Sequence, residues 1–388
     1  MSDLAALAAS ARTAGRLGLD TEFMTEGRYF PLLCLVQVAV EEPSAPDGVR
    51  VELLDPLTQQ LEVGPLAEVL ADPSIEVILH AARQDVAILR RTWRTEIHGV
   101  FDTQVAAGFA GFSAQAGYNN LLGEALGVSL AKSAGFTRWD VRPLTEEQLT
   151  YAAGDVLYLP RLADELQGRL RESDRLDWVL DECRPLEESS DERDPEEAWR
   201  RLPRVNQLSN KSRAVAKAIG AWRERTAAAE DRPLASVLSD AALVEIARRQ
   251  PVDIGALGTI RGVHPPVVRR RGEGILGAVR EGQEAPPVVR QEEIWVAPDA
   301  RDAPVAALAE ALARQRALEA GLAYELLATR AEIGRIVTAA RRGDPEPDVR
   351  TVQGWRRELI GAELLELLAG RRVVAVDGGG RLNVTTRD

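Results

Sequence analysis

The 388-residue chain contains two cysteines, Cys34 and Cys183, and three histidines, His80, His98 and His264. So few soft donors exclude a disulfide framework and a Cys/His zinc site of the usual spacing. This usage fits a reducing compartment, and a cytoplasmic protein is expected. Lysine is equally scarce, with Lys132, Lys211 and Lys217 the only three among 48 basic residues. Long apolar runs are missing as well. No segment approaches the roughly 18 uninterrupted apolar residues of a membrane span, so no membrane is expected as a partner. The Ala-rich N-terminus runs directly into the first apolar segment, and Asp3 suits a helix start, so it reads as part of the fold.

What is present is the composition of a globular protein, 45% hydrophobic and 28% charged, with length for two or three domains. The net charge of −12 hides a split. Residues 200–280 carry 16 Lys+Arg against 7 Asp+Glu, a balance of +9, which leaves −21 for the remainder. A basic stretch beside an acidic remainder is the distribution of a module that holds a polyanion, the plainer reading being a solvated basic face.

The chain is organised around residues 17–26, an apolar run that ends in Asp20-Thr-Glu22. On a strand, i and i+2 share a face, so two carboxylates lie side by side. With His and Cys so rare, the counter-ion to expect is a hard one, Mg2+ or Mn2+. A solvated edge or a helix cap is the alternative. Further apolar runs at 32–40, 51–54 and 77–79 read as strands, and 64–70 and 83–93 as helices, which makes an α/β layer with a mixed sheet.

Two more clusters follow. In 80–89, Asp85 falls in the first turn of a helix that follows a strand end, where it either complements the helix dipole or ligates a metal. His80 reads as packed or hydrogen-bonded, and Asp102 as the N-cap of the next helix in preference to a further ligand. In 143–160, Thr145 and Gln148 form a capping-box signature, which puts Tyr151 and Asp155 one turn apart on one face. The small residues Ala152, Ala153 and Gly154 between them allow another element to come close. The plain alternative is a packed Tyr151 and a solvated Asp155.

Taken together, LDTEF at 19–23, HAARQD at 80–85 and YAAGD at 151–155 resemble the three ordered motifs of the DEDD superfamily of 3′→5′ exonucleases, in the branch with tyrosine in the third motif. Within that branch the chain resembles the ribonuclease D family. The resemblance implies an α/β ribonuclease H-like exonuclease domain in which Asp20, Glu22, Asp85 and Asp155 ligate two divalent metal ions, Mg2+ or Mn2+. With Tyr151, which would orient the attacking water, these four form the catalytic set. The loop Lys132-Ser-Ala-Gly-Phe-Thr-Arg138-Trp139 resembles the family's basic loop. It makes Lys132 and Arg138 candidate phosphate contacts and leaves Trp139 as either a substrate contact or core. After the intervening Asp140, Arg142 is the one further basic residue of this loop.

A helix is expected over 161–180. Residues 181–197 then carry nine acidic residues without evident apolar period, which reads as an extended acidic linker over 181–198. The exonuclease domain would thus be 1–180, and short strands should still be cleaved if everything after about 185 were removed. Residues 199–281 resemble the all-α HRDC domain, with a helix over 208–228 and another capped at Ser239 or Asp240 and stopped by Pro251. Its candidate RNA contacts are Lys211, Arg213, Lys217, Arg248, Arg249 and Arg269 to Arg271. Residues 293–388 resemble a second, degenerate HRDC-like helical domain, with a closing hairpin over 373–384. The function implied is a metal-dependent 3′→5′ exoribonuclease that trims structured RNA, with precursor tRNA as partner, 5′ mononucleotides as products and no obligate protein partner for a monomer. A DNA exonuclease and a non-catalytic RNA-binding protein with a vestigial nuclease fold are the rivals.

Overall fold

The apolar runs of the first half form a five-stranded mixed sheet with helices on both faces, as expected. The computed structural model describes residues 3–130, 138–289 and 299–386. In chain order the first half is α1 (Leu4–Ala14), β1 (Arg16–Met24), β2 (Leu32–Glu41), β3 (Val49–Leu54), α2 (Gly64–Leu70), β4 (Glu76–Leu79), α3 (Arg83–Trp93), β5 (Val100–Asp102), α4 (Thr103–Phe109) and α5 (Tyr118–Leu126). It continues with α6 (Glu146–Leu157), α7 (Leu159–Glu172) and α8 (Leu176–Glu187). The sheet order is β3-β2-β1-β4-β5, with β1 antiparallel to β2 and parallel to β4.

β1 is therefore the central strand, and its pleat sorts its side chains. Leu17 and Leu19 enter the core with Leu7, Val77 and Val86. Gly18, Asp20 and Glu22 face the other way, toward α6 and α7. A Cβ at Gly18 would lie 3.1 Å from Leu159 Cβ, so any larger residue would push the start of α7 a few tenths of an ångström off the strand.

The acidic stretch is not an extended linker from 181. Residues 181–187 complete α8, which follows α7 after a break in which Asp174 adopts a positive φ of 54°. Val179, Cys183 and Leu186 are buried at i, i+4 and i+7. That spacing is an apolar stripe, thin enough to be lost among the acids. The charges also find partners instead of repelling the chain into solvent. Asp191 pairs with Arg91 at 2.8 Å, and Asp194 caps the 3-10 segment Pro195–Arg201 through the Glu196 amide.

The first helical domain is α9 (Asn210–Glu230), α10 (Leu234–Val237), α11 (Asp240–Arg249), α12 (Ile254–Gly258) and α13 (Pro265–Glu284), around its own core of Val215, Ile219, Leu243, Ile246 and Ile275. Two of its candidate RNA contacts are interior. Arg213 is buried and donates to Leu208 O, and buried Arg271 pairs with Glu230 at 2.7 Å. Arg248 and Arg249 pair with Glu245, while Lys211 and Arg269 are exposed. The domain is tied to the β1–β2 loop. The Tyr29 hydroxyl donates to Glu224 at 2.8 Å, and Asp231 accepts from the Tyr29 and Phe30 amides and pairs with Arg28.

The second helical domain comprises α14 (Asp302–Ala320), α15 (Tyr324–Leu327), α16 (Arg330–Arg341), α17 (Gly354–Arg356) and, after a π-helical turn over Arg357–Gly361, α18 (Ala362–Leu368). The expected hairpin closes it, with β6 (Arg372–Val376) antiparallel to β7 (Leu382–Thr386). This domain does not stand apart from the exonuclease domain. One cluster of buried side chains runs from Phe101, Phe109 and Leu159 to Leu312, Ile333 and Leu364. Trp355 stacks on Trp178 at 5.0 Å, meets Phe109 edge-on at 5.1 Å and donates through Nε1 to Glu182, which also takes both Arg356 amino groups at 2.5 and 2.9 Å.

Removing everything after about 185 would therefore uncover Phe109 and Trp178, so the expectation of a self-sufficient N-terminal half gives way. Trp355→Ala is expected to lower stability by about 3–5 kcal/mol, the usual cost of truncating a buried aromatic. A urea unfolding midpoint equal to that of the native chain would refute the shared core.

Candidate active site

The site lies where β1 passes beneath α6. The start of α6 is fixed by the capping box: Thr145 Oγ1 accepts the Gln148 amide at 3.2 Å, and Gln148 Oε1 accepts the Thr145 amide at 3.0 Å. Farther along α6, Tyr151 and Asp155, one turn apart, project over the strand. One carboxylate oxygen each from Asp20, Glu22 and Asp155 lies within 4.8 Å of the others. Asp85, in the first turn of α3, adjoins this group from the opposite face of the sheet. Its buried carboxylate accepts from the Thr21 hydroxyl at 2.5 Å. Thr21 points to that face because it is one residue from both Asp20 and Glu22.

Burial governs the charge of the four acids, with mutual repulsion added at Asp20 and Glu22. Burial is the largest cause in each case. It drives Asp20 well above the usual carboxylate range, with Asp85, Asp155 and Glu22 adding to the effect. Glu22 is pushed up to about 8 by burial, then Asp155 and Asp85. Asp155 rises to about 7, tempered by Tyr151. Asp85 rises to about 6, tempered by Thr21. No lysine or arginine of the described residues figures among the causes of these shifts. The donor set is thus all carboxylate oxygen, crowded and without an internal cation, and it fits a hard divalent ion.

The Tyr151 hydroxyl hydrogen-bonds to Asp155, and burial followed by Asp155 raises its own ionisation above the usual tyrosine value. In this setting it is a neutral donor, suited to orienting a group beside Asp155 and unsuited to acting as a base. Trp139 is core: it is 4% exposed, packs with Cys34, Leu35 and Ala152, and its ring lies 6.2 Å from that of Tyr151. The substrate-contact alternative for Trp139 gives way to support of Tyr151 from behind. Arg138, a candidate phosphate contact, is exposed and paired with Asp140 at 2.8 Å. Lys132 lies outside the described residues. Arg142 is a clamp, donating to both Asp55 oxygens at 2.6 and 2.7 Å and to the carbonyls of Cys34 and Trp139.

Other expectations resolve locally. Asp102 does cap α4, accepting from the Gln104 and Val105 amides, and it also accepts from the Ala81 and Ala82 amides at 3.0 and 2.8 Å. That second pair fixes the turn leading to Asp85, a role the cap signature alone did not reveal. His80 is hydrogen-bonded through Nδ1 to Thr103 Oγ1 at 2.9 Å. At Gly154 an added Cβ would meet nothing closer than Leu130 at 3.6 Å, so the close approach is made at buried Ala152 instead. Thr21 was missed, since a hydroxyl between two acids carries no signal of its own. A cleft of about 770 Å³ between the C-terminal ends of α3 and α8 is unrelated to the acids, and its Arg90, Arg91, Arg94 and Arg184 are balanced by four glutamates.

Because the four carboxyls hold protons more tightly folded than unfolded, the folded chain binds more protons between about pH 4, the ordinary carboxylate value, and about pH 8. The contribution of these four acids to metal-free stability is thus complete below that window and falls as pH rises through it. Thermal melts in chelator should show this loss, Mn2+ should restore stability at the upper end, and Asp155→Asn should shallow the slope. A flat chelator profile would contradict the crowding.

The comparisons with known proteins agree with this geometry. A family model described as 3'-5' exonuclease matches residues 1–171, and the HRDC domain model matches residues 212–279. Ribonuclease D of Gluconacetobacter diazotrophicus is 37% identical over 97% of this chain and 93% of its own. That of Granulibacter bethesdensis is 35% identical over 99% and 95%. The crystal structure of Escherichia coli RNase D, an exoribonuclease involved in structured RNA processing, superposes with a TM-score of 0.78 at 30% identity, covering 95% of this chain and 96% of that one. With matches of this length in both sequence and structure, the chain belongs to the ribonuclease D family of 3′→5′ exoribonucleases.

Proposed function

We propose that this exoribonuclease trims the 3′ ends of structured RNA, precursor tRNA among them, and releases 5′ mononucleotides, with two divalent ions, Mg2+ or Mn2+, held by Asp20, Glu22, Asp85 and Asp155. The observation that carries the reading is the convergence of the Asp20, Glu22 and Asp155 oxygens within 4.8 Å, with no lysine or arginine of the described residues among the causes that set their ionisation. Bound ions of this kind supply a water ionised at neutral pH and neutralise the charge on the leaving oxygen. The chain's own part is to hold the four acids against their repulsion and to keep water oriented through the Tyr151 hydroxyl. The two helical domains would hold the body of the RNA, with exposed Lys211 and Arg269 as phosphate contacts. Two free, buried thiols, Cys34 and Cys183, support a cytoplasmic setting.

The test is 3′-end trimming of matched RNA and DNA oligonucleotides and of a precursor tRNA with an unpaired trailer, with Mg2+ or Mn2+ and with chelator. Metal-dependent trimming of RNA over DNA, with the tRNA trailer removed, is expected; preference for DNA would refute the substrate assignment. Asp155→Asn should abolish cleavage and leave RNA binding in metal-free buffer unchanged, and retained turnover would remove Asp155 from the site. Lys211→Ala with Arg269→Ala should lower the slope of log K against log salt by up to about 2, near 0.7–0.9 for each phosphate no longer neutralised. An unchanged slope would place the RNA elsewhere.

A further inference from the structure

Gln37 on β2 is 0% exposed, and neither its Nε2 nor its Oε1 has a hydrogen-bond partner among the described residues. Its surroundings give no structural reason for an amide. Leu35 and Ala39, which share its face of β2, are apolar and buried, and its cross-strand neighbour on β3 is Leu53. Leaving such a group unpaired is destabilising, a cost that an apolar side chain of the same length would avoid. On its other side, however, Gln37 is registered directly opposite Asp20. Directly opposed residues of an antiparallel pair point to the same face with Cβ atoms about 4.5–5.5 Å apart. That face is the one covered by α6, since Leu35 and Leu53 pack with Tyr151 and Ala152. The amide thus lies in the floor of the site, beside the acid that three other carboxylates crowd.

We propose that Gln37 is a positioning residue whose side-chain amide, unpaired in the metal-free chain, turns to donate to the Asp20 carboxylate registered opposite it when Asp20 holds a divalent cation, and so fixes the orientation of that carboxylate. The inference rests on the metal-site reading above. A carboxylate oxygen that faces a cation needs its second oxygen anchored, or it swings with each exchange of ligand; partners of this outer kind typically change metal affinity by about 10–100-fold. Asp85 has such an anchor in Thr21 and Asp155 has one in Tyr151. Asp20 accepts the Thr21 backbone amide and has no side-chain anchor of this kind among the described residues of the metal-free chain; Gln37, registered opposite it, would supply one.

The experiment compares the full-length native chain with Gln37→Met, which keeps the length and removes the amide, and with Gln37→Leu. Mn2+ affinity is measured by the electron paramagnetic resonance of free Mn2+, and thermal melting is measured in chelator. The expected result is a metal-free melting temperature not below the native one in at least one variant, Mn2+ binding weakened about 10-fold or more, and kcat on a short RNA lowered with KM unchanged. Native Mn2+ affinity in both variants would overturn the role of Gln37 and leave the metal site standing. Lowered metal-free melting in both would overturn it in favour of a role in the fold. No Mn2+ binding by the native chain would overturn this proposal and the metal-site reading together.

Discussion

The crowding of four buried carboxylates is the constraint on which the rest of the structure depends. Isolated in a medium of low dielectric, each such charge is costly, and together they repel. Asp20, Glu22, Asp85 and Asp155 stay close only because separate rigid elements carry them: a central strand, and one helix on each face of the sheet. In the metal-free chain the cost of burial is relieved by protons at all four acids, and mutual repulsion adds to it at Asp20 and Glu22. A divalent cation relieves it without protonation and leaves the oxygens free to act as ligands. The fold is in this sense a device for storing negative charge at one strand end.

Each carrier is locked by contacts that have no part in the chemistry. The turn before Asp85 is held by Asp102 through the Ala81 and Ala82 amides. The approach of α7 to β1 is closest at Gly18, where an added Cβ would lie 3.1 Å from Leu159 Cβ. The segment before α6 is pinned by Arg142, whose guanidinium joins Asp55, just past the end of β3, to the carbonyls of Cys34 and Trp139. Trp139, so held, packs behind Tyr151. Asp55 is kept below the usual carboxylate range by Arg142 against the opposing effect of burial, as a lasting ion pair requires.

Much of this was legible in the sequence, and the limits are physical. The i, i+2 spacing of Asp20 and Glu22, the Thr145 cap and the i, i+4 spacing of Tyr151 and Asp155 are local rules that tertiary context did not override. The resemblance added Asp85, which local pattern alone reads as a first-turn charge. What could not be read was long-range pairing. The Arg138–Asp140 bridge pairs one candidate phosphate contact with a neighbouring acid, the Arg142–Asp55 bridge turns the loop's further basic residue inward, and Arg213 and Arg271 are buried in the first helical domain. The stripe of Val179, Cys183 and Leu186 was hidden because three apolar side chains suffice to seat a helix whose other faces are charged.

The arrangement of domains follows from where those hidden contacts fall. α8, expected to lead into a tether, is the element on which the second helical domain closes, through Trp178 and Glu182 to Trp355 and Arg356. The first helical domain is fastened at a different point, the loop that continues β1 seven residues beyond Glu22, through Tyr29 to Glu224 and through Arg28 and two amides to Asp231. Glu224 is 2% exposed, so the Tyr29 hydroxyl satisfies a carboxylate that would otherwise be costly to bury. Both helical domains are thus anchored by polar contacts in which an acid on one side of the junction is matched by donors from the other. Such contacts fix angle and register better than apolar packing does, because a hydrogen-bonded carboxylate loses its partners on a small displacement. A body of RNA bound on the helical domains would then sit at a fixed distance from the four acids, and that distance is set by the same strand that carries two of them.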